Sequence, residues 1–406
     1  MKESRPLGAL SGVRILDFTA HAAGPQATLL LAYMGAEVIK VESSLYLDTF
    51  RREAAEVLGS KRAGLSWFNP LNANKLGITL NLKTDAGIEI AKRLARISDV
   101  AVDNFRAGVM NKLGLGYPVL KEVKPDIIMV SSSSHGATGP ESDYSGFAVT
   151  MGPLSGLSHL TGYPGGPPTI LRHSMDLRAG TAAAFAILAA LIHWRRTGEG
   201  QFIDLSQREA LSCGAAESIM DYTMNSRIRS RNGNHDEKMA PHNCYRCQGE
   251  DKWISIAVST DEEWQALCQS AGHPEWARQE KFRDQLSRWQ NQDELDRLIE
   301  RWTSSHTHYQ VMEILQREGV AAMPSFSNEE LFNNPHLRER ETFVPVPHPE
   351  EGELVVLAPP WKLSRTPGQV HQAAPLLGQH TEYIFRELLG MSQNEIARLI
   401  EKKVIY

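Results

Sequence analysis

The chain has 406 residues, 42% hydrophobic and 22% charged, enough to bury a large core and to favour two domains over one. A formal net charge of -5 argues against a general nucleic-acid or anionic-membrane surface. Met1 to Gly12 holds no apolar leader core, and the longest apolar stretch, Ala182 to Ile192, falls short of a hydrocarbon layer of roughly 30 Å, so a cytoplasmic protein without membrane contact is expected.

The first hundred residues alternate as parallel strands and crossover helices do. Val13 to Phe18 predicts a strand, Gln26 to Met34 a helix broken by Gly35, and Glu37 to Glu42 a second strand. The pattern repeats with strand Gly77 to Leu82, helix Thr84 to Ile97 opened by a Thr cap, and strand Val100 to Asn104. Asp126 to Ser131 adds another strand. Together they predict a doubly wound α/β sheet, with ligands beyond the carboxyl ends of its strands. The turn after the first strand reads Thr19-Ala-His-Ala-Ala-Gly-Pro25 with no GxGxxG, which disfavours a nicotinamide dehydrogenase.

Asp176 to Arg196 reads as a long, largely buried Ala/Leu-rich helix stopped by Thr197-Gly-Glu-Gly200, and Gln201 to Leu205 returns to strand. Charged and polar residues from Arg227 to Asp236 suggest a linker. The expected division is therefore 1–225, a smaller domain over 226–330, and a return over 331–406. Lys252 to Val258 predicts a strand, Asp261 to Ala271, Asn291 to Arg301 and His308 to Glu318 predict helices, and a last helix falls near Thr381 to Leu389. Cys244 and Cys247 form a lone CxxC without a second half-site, so no metal is expected. Neither a Walker A loop nor HExxH is present.

Several ordered blocks resemble the CaiB/BaiF, or family III, CoA-transferases. They are Leu10-Ser-Gly-Val-Arg-Ile-Leu-Asp17, Gly24-Pro25, Gly35-Ala-Glu-Val-Ile-Lys-Val-Glu42, Asn74-Lys75, Asn81-Leu-Lys83, Asp103-Asn-Phe-Arg-Ala-Gly108, Met175-Asp176, Ala189-Ala-Leu191, Thr197-Gly-Glu-Gly-Gln201 and Ala374-Pro-Leu-Leu-Gly-Gln-His380. The resemblance implies a large Rossmann-like domain built from both chain ends, a smaller α+β domain between them, and two chains interlocked as rings. It also implies a homodimer or a heteromer with a related subunit, no permanently bound cofactor, and a coenzyme A thioester as co-substrate.

In such enzymes an Asp carboxylate attacks the donor thioester, giving a mixed anhydride and CoA thiolate, followed by an aspartyl-CoA thioester. Asp176 matches that position, although an Asp at a helix start is equally a good cap. By the same resemblance Lys75, Asn104, Phe105, Arg106 and Lys112 are expected to hold CoA, and His135 stands where some members carry a Lys beside the site. Backbone N–H groups of Gly165-Gly166 are candidate oxyanion donors. Lys238 to Tyr245 replaces the glycine-rich loop of oxalate-acting relatives, and Ser43-Ser44 replaces an Arg common after the second strand. Racemase relatives place a catalytic His where this chain has Phe147, and Phe is no base. An intramolecular transferase or a non-catalytic subunit remains as an alternative. Trp67 and Trp361 are candidates to line a pocket for a bulky acid. The overall pattern suggests a succinyl-CoA-dependent transferase with an aromatic diacid such as benzylsuccinate as acceptor.

Overall fold

The computed structural model describes residues 8–52, 67–171 and 173–406, so part of the expectation over Met1 to Gly12 lies outside the described residues. Two compact units emerge: Met1–Ser158 with Ile170–Arg227 and Pro335–Tyr406, and His159–Thr169 with Ile228–Asn334. The excursion of residues 159–169 into the smaller unit carries no signal in the sequence.

The larger unit is built on β1 (Arg14–Asp17), β2 (Glu37–Glu42), β3 (Leu76–Thr79), β4 (Val100–Asp103), β5 (Ile128–Ser133) and β6 (Phe202–Ser206). All neighbours pair in parallel, in the spatial order β3-β2-β1-β4-β5-β6. That order is doubly wound, and the winding reverses between β1 and β4, where a crevice opens at the carboxyl ends of the strands.

Successive side chains of a strand face opposite layers, and here both layers are apolar. Ile15, Val38, Val100 and Ile128 pack against α1 (Ala23–Tyr33) and a long helix further along the chain, while Leu16, Ile39, Ala101 and Met129 pack against α2 (Asp85–Arg96) and the chain's last turns. Leu16 and Ile39 are fully buried, so truncating either to Ala removes roughly 2–5 kcal/mol. Thr84 caps α2 as expected, its Oγ1 accepting the Gly87 N–H at 3.1 Å. The first helix begins three residues earlier than expected, at Ala23. Pro25 is tolerated there because the first-turn N–H groups have no intrahelical partner to lose.

The long helix, α3 (His173–Thr197), also starts earlier than expected, which puts Asp176 inside its first turn instead of at the cap. Its burial is one-sided: Ala179, Ala183, Ile187 and Leu191 are buried, whereas Phe185 is 75% and Ile192 54% exposed. By length and composition the helix would suit a bilayer span, but one face packs in the sheet's core. A short α4 (Gln207–Ser212) follows β6, its first turn capped by Ser206.

In the smaller unit, β7 (His242–Arg246), β8 (Trp253–Ala257) and β9 (Ala321–Pro324) form an antiparallel sheet. It is covered by α5 (Asp261–Ser270), α6 (Gln292–Thr303) and α7 (His308–Arg317) over Trp264, Leu267, Ile299 and Leu315. Cys244 and Cys247 are free thiols, and no group of metal ligands occurs among the described residues.

The chain then returns through the hairpin of β10 (Phe343–His348) and β11 (Gly352–Leu357) to the edge of the large sheet. The Gly77 N–H donates to His380 Nδ1 at 3.1 Å, and the Asn81 N–H to the Val404 carbonyl at 2.8 Å. Burial holds the His380 imidazole below its usual range, in keeping with that acceptor role. The last helix, α8 (Gln393–Glu401), was not expected; Ser392 and Glu395 form a reciprocal capping box at its start.

Candidate active site

A cavity of about 530 Å³ lies in the larger unit where β1 and β4 end. Its walls come from Ala20 to Ala23 after β1, Asn104 to Ala107 after β4, Ser133 and Ser134 at the end of β5, residues 144–149, Asp176 of α3 and Gln207 of α4. The winding of the sheet thus brings these segments, together with Phe50, to one crevice.

Close backbone approach makes this possible. A Cβ on Gly24 would lie 2.5 Å from Thr19 Cβ and 2.8 Å from Asn104 Cγ; one on Gly180 would lie 2.5 Å from the Ala23 carbonyl oxygen. Only glycine lets α1 and α3 come this near to each other and to the strand ends. The Asn104 side chain then ties the two loops together, accepting the Ala20 N–H at 2.8 Å and donating to the Ala20 carbonyl at 2.7 Å.

Next to the cavity sits a closed set of charges. Lys75 is fully buried, its Nζ donating to Asp17 Oδ2 at 3.2 Å, the Pro25 carbonyl at 3.0 Å and Asn72 Oδ1 at 2.8 Å. Burial pulls Lys75 down to about 8, partly offset by Asp17. For Asp17 burial works upward, but the charges of Lys75 and Lys40 and the hydroxyls of Thr19 and Thr28 outweigh it and hold the carboxyl below its ordinary range. Lys40 lies 3.9 Å from Asp48, whose carboxylate also accepts the His21 N–H at 3.2 Å and the Phe50 N–H at 3.0 Å. His21 lines the cavity in the left-handed region, φ 62°, its ring in edge contact with Phe50 and Phe147. A non-glycine residue held there stores strain of the kind found at functional sites.

Asp103 is also buried, but without a cation. Desolvation pushes it up to about 7 despite hydrogen bonds from the Phe105 N–H at 3.1 Å and Ser131 Oγ at 3.3 Å. Its Oδ2 has no partner among the described residues, which fits a neutral carboxyl.

Of the residues expected from sequence, Asp176, Asn104, Phe105 and Arg106 meet at the cavity. Lys75 does not line it: its fully buried Nζ donates to three protein acceptors. Lys112, at the end of a one-turn helix, is exposed and does not line the cavity. His135 is buried just behind the wall, its Nε2 3.3 Å from where a Cβ on Gly146 would be. Gly165 and Gly166 belong to the smaller unit and are not lining residues, and neither Trp67 nor Trp361 lines the cavity. The aromatic wall consists of Phe50, Phe105, Tyr144 and Phe147. Sequence reasoning missed His21, Tyr144 and Gln207; of these only His21 had a signal, its place in the turn after the first strand.

A doubly wound crevice lined, among the described residues, by one carboxylate suits chemistry on a carbonyl compound. The family described as CoA-transferase family III matches residues 10–381. The chain belongs to that family. A relative at 35% identity over the whole of both chains is the succinyl-CoA–D-citramalate CoA-transferase of Chloroflexus aurantiacus. The beta subunit of the succinyl-CoA–L-malate CoA-transferase of the same organism is 32% identical, covering 98% of each chain. A CaiB/BaiF family protein from Brucella suis superposes with a TM-score of 0.85 at 29% identity, covering 94% of this chain and 100% of that one. Other relatives pair succinyl-CoA with glutarate or mesaconate in their names, and one is named for formyl-CoA and oxalate. This family III protein is a CoA-transferase, with a CoA thioester as co-substrate.

Proposed function

We propose that the enzyme moves CoA from succinyl-CoA to a second dicarboxylic acid, with Asp176 as the nucleophile. One observation carries this reading: among the described residues Asp176 is the single carboxylate that lines the cavity, and it stands in the first turn of a 25-residue helix. The helix dipole favours its ionised form, keeping the nucleophile charged.

The steps balance without metal or nucleotide. An Asp176 oxygen attacks the thioester carbon, the carbonyl pair moves to oxygen, and collapse expels CoA thiolate, leaving a mixed anhydride. The thiolate attacks the aspartyl carbonyl, releasing succinate and leaving aspartyl-CoA. The acceptor carboxylate repeats the sequence in reverse and leaves as its CoA thioester. A developing oxyanion appears at each step, and donors aimed at it supply most of the acceleration.

Donor and acceptor class rest on the relatives' names and on the lining. Arg106 and His21 offer N–H donors for a distal carboxylate, and Phe50, Phe105, Tyr144 and Phe147 give an apolar wall. That wall supports an acceptor with an aromatic or bulky apolar group, benzylsuccinate being one such acid. The Phe147 side chain lines the cavity where a racemase would need its base, which weighs against α-proton abstraction. Apolar side chains left in the open, Phe185 and Met224 each 75% and Met220 60% exposed, support a dimer, with itself or with a related subunit.

The test is mass spectrometry of the enzyme incubated with a panel of acyl-CoA donors and then hydroxylamine. Succinyl-CoA should give a hydroxamate mapped to Asp176. No modification with any donor would overturn the covalent route.

A further inference from the structure

Residues Ser131 to Ser134 are four consecutive serines ending β5, and three of their hydroxyls are occupied. Ser131 Oγ donates to Asp103 Oδ1 at 3.3 Å, Ser132 Oγ accepts from Gln207 Nε2 at 3.3 Å, and Ser134 Oγ donates to the Gly146 carbonyl at 3.0 Å. Ser133 is different. Its side chain is 3% exposed, and its Oγ has no hydrogen-bond partner among the described residues, yet the residue lines the cavity that Asp176 also lines. Backbone pairing with Ser206 in β6 holds the residue in the parallel sheet.

A buried hydroxyl without a partner costs free energy that nothing within the protein offsets, and native structures keep few of them. Such a group at the wall of a reaction cavity is a donor awaiting an acceptor. We propose that Ser133 Oγ–H donates to the carbonyl oxygen of the acyl group attacked by Asp176. As the carboxylate oxygen bonds to the thioester carbon, the carbonyl pair moves onto oxygen, and the Ser133 hydrogen bond strengthens with the charge. It relaxes when the C–S bond breaks and thiolate departs. The serine gives up no proton, so it is a donor to the transition state and not a second nucleophile. Its mounting on a hydrogen-bonded strand fixes the backbone from which the donor is presented.

The inference rests on the transferase reading, and the experiment separates the two. Wild type, Ser133→Ala and Ser133→Thr are each mixed with succinyl-CoA and quenched with hydroxylamine at increasing times, while CoA affinity and the urea midpoint are measured in parallel. Ser133→Ala should slow hydroxamate formation at Asp176 by about 10²- to 10³-fold. Its affinity for CoA should be unchanged, and its midpoint unchanged or higher, because removing an unpaired buried hydroxyl takes away a burden. Ser133→Thr, which keeps the hydroxyl, should recover most of the rate. An Ala variant at wild-type rate would overturn the role of Ser133 and leave the transferase reading standing. An Ala variant slowed only in proportion to a lowered midpoint would overturn it too, by making the serine structural. Wild-type protein that forms no hydroxamate with any donor would overturn the reading beneath it.

Discussion

Two groups of polar residues sit at the same edge of the same sheet and differ in one respect. Around Asp17, Lys40, Asp48 and Lys75 the charges face one another, buried, each with a protein partner. Around Asp176, Arg106, His21 and Ser133 the groups face a cavity of about 530 Å³. The closed group holds the loops after β1 and β2 in place, with Asp48 reaching the His21 N–H, and so sets the geometry of the open one. A charged residue in a family motif can therefore belong to the scaffold or to the chemistry, and only its partners distinguish them.

Substitutions on the two sides should separate accordingly. The largest effect is expected for Asp176→Ala, which should lower turnover by at least about 10³-fold while circular dichroism and CoA affinity stay near wild type. A soluble variant with full turnover would move the nucleophile elsewhere. On the closed side, Lys75→Met leaves the buried Asp17 carboxylate without its hydrogen-bonded cation, and urea titration should show a loss of roughly 3–5 kcal/mol.

Asp103 sharpens the comparison because it is buried with no cation beside it among the described residues. Its carboxyl, raised from 3.8 to about 7, is protonated in the fold over a range where the unfolded chain has lost the proton. The native state therefore binds more protons between about pH 4 and pH 7, and stability falls as pH rises through that window. Asp103→Asn should abolish this slope and raise stability on the order of a few kcal/mol at pH 8, with little change at pH 4. Urea unfolding across that pH range is the measurement, and a pH-independent wild type would refute the assignment. The smallest effects lie at the rim: Arg106→Ala should raise KM about tenfold with kcat nearly kept, whereas Lys112→Ala should change neither KM nor stability by more than about 0.5 kcal/mol.

Much of the fold was legible because buried parallel strands leave short β-branched runs that punctuation separates. Glu37 to Glu42 fell on β2 residue for residue, and Thr84 announced its helix by the side chain it uses as a cap. The misses have physical causes. Lys75 stands in a motif with the right spacing, but spacing does not say whether a lysine points at solvent or at an aspartate 58 residues away. The start of α3 was placed at Asp176 because an acidic residue reads as a cap, while the helix had already begun at His173. Helix α8 carried a readable Ser392-x-x-Glu395 box that was overlooked beside the stronger apolar run before it. The cavity wall at Tyr144 and Phe147 lies in irregular chain with no periodicity to read.

One further consequence concerns how the molecule is made. The layer of the large sheet that covers Leu16, Ile39 and Ile78 is completed by Ile384, Phe385, Val404 and Ile405, and the Thr79 hydroxyl is bonded to the Tyr406 carbonyl at 2.9 Å. At roughly 5–20 residues per second, a ribosome needs on the order of 15 to 60 s after making β3 to supply those side chains. Throughout that interval an apolar sheet face stands without its cover, and the smaller unit, which ends at Asn334, is synthesised in full before the cover arrives. Expression yield should therefore be more sensitive to chaperone supply and to C-terminal truncation than the ordered architecture of the finished enzyme suggests.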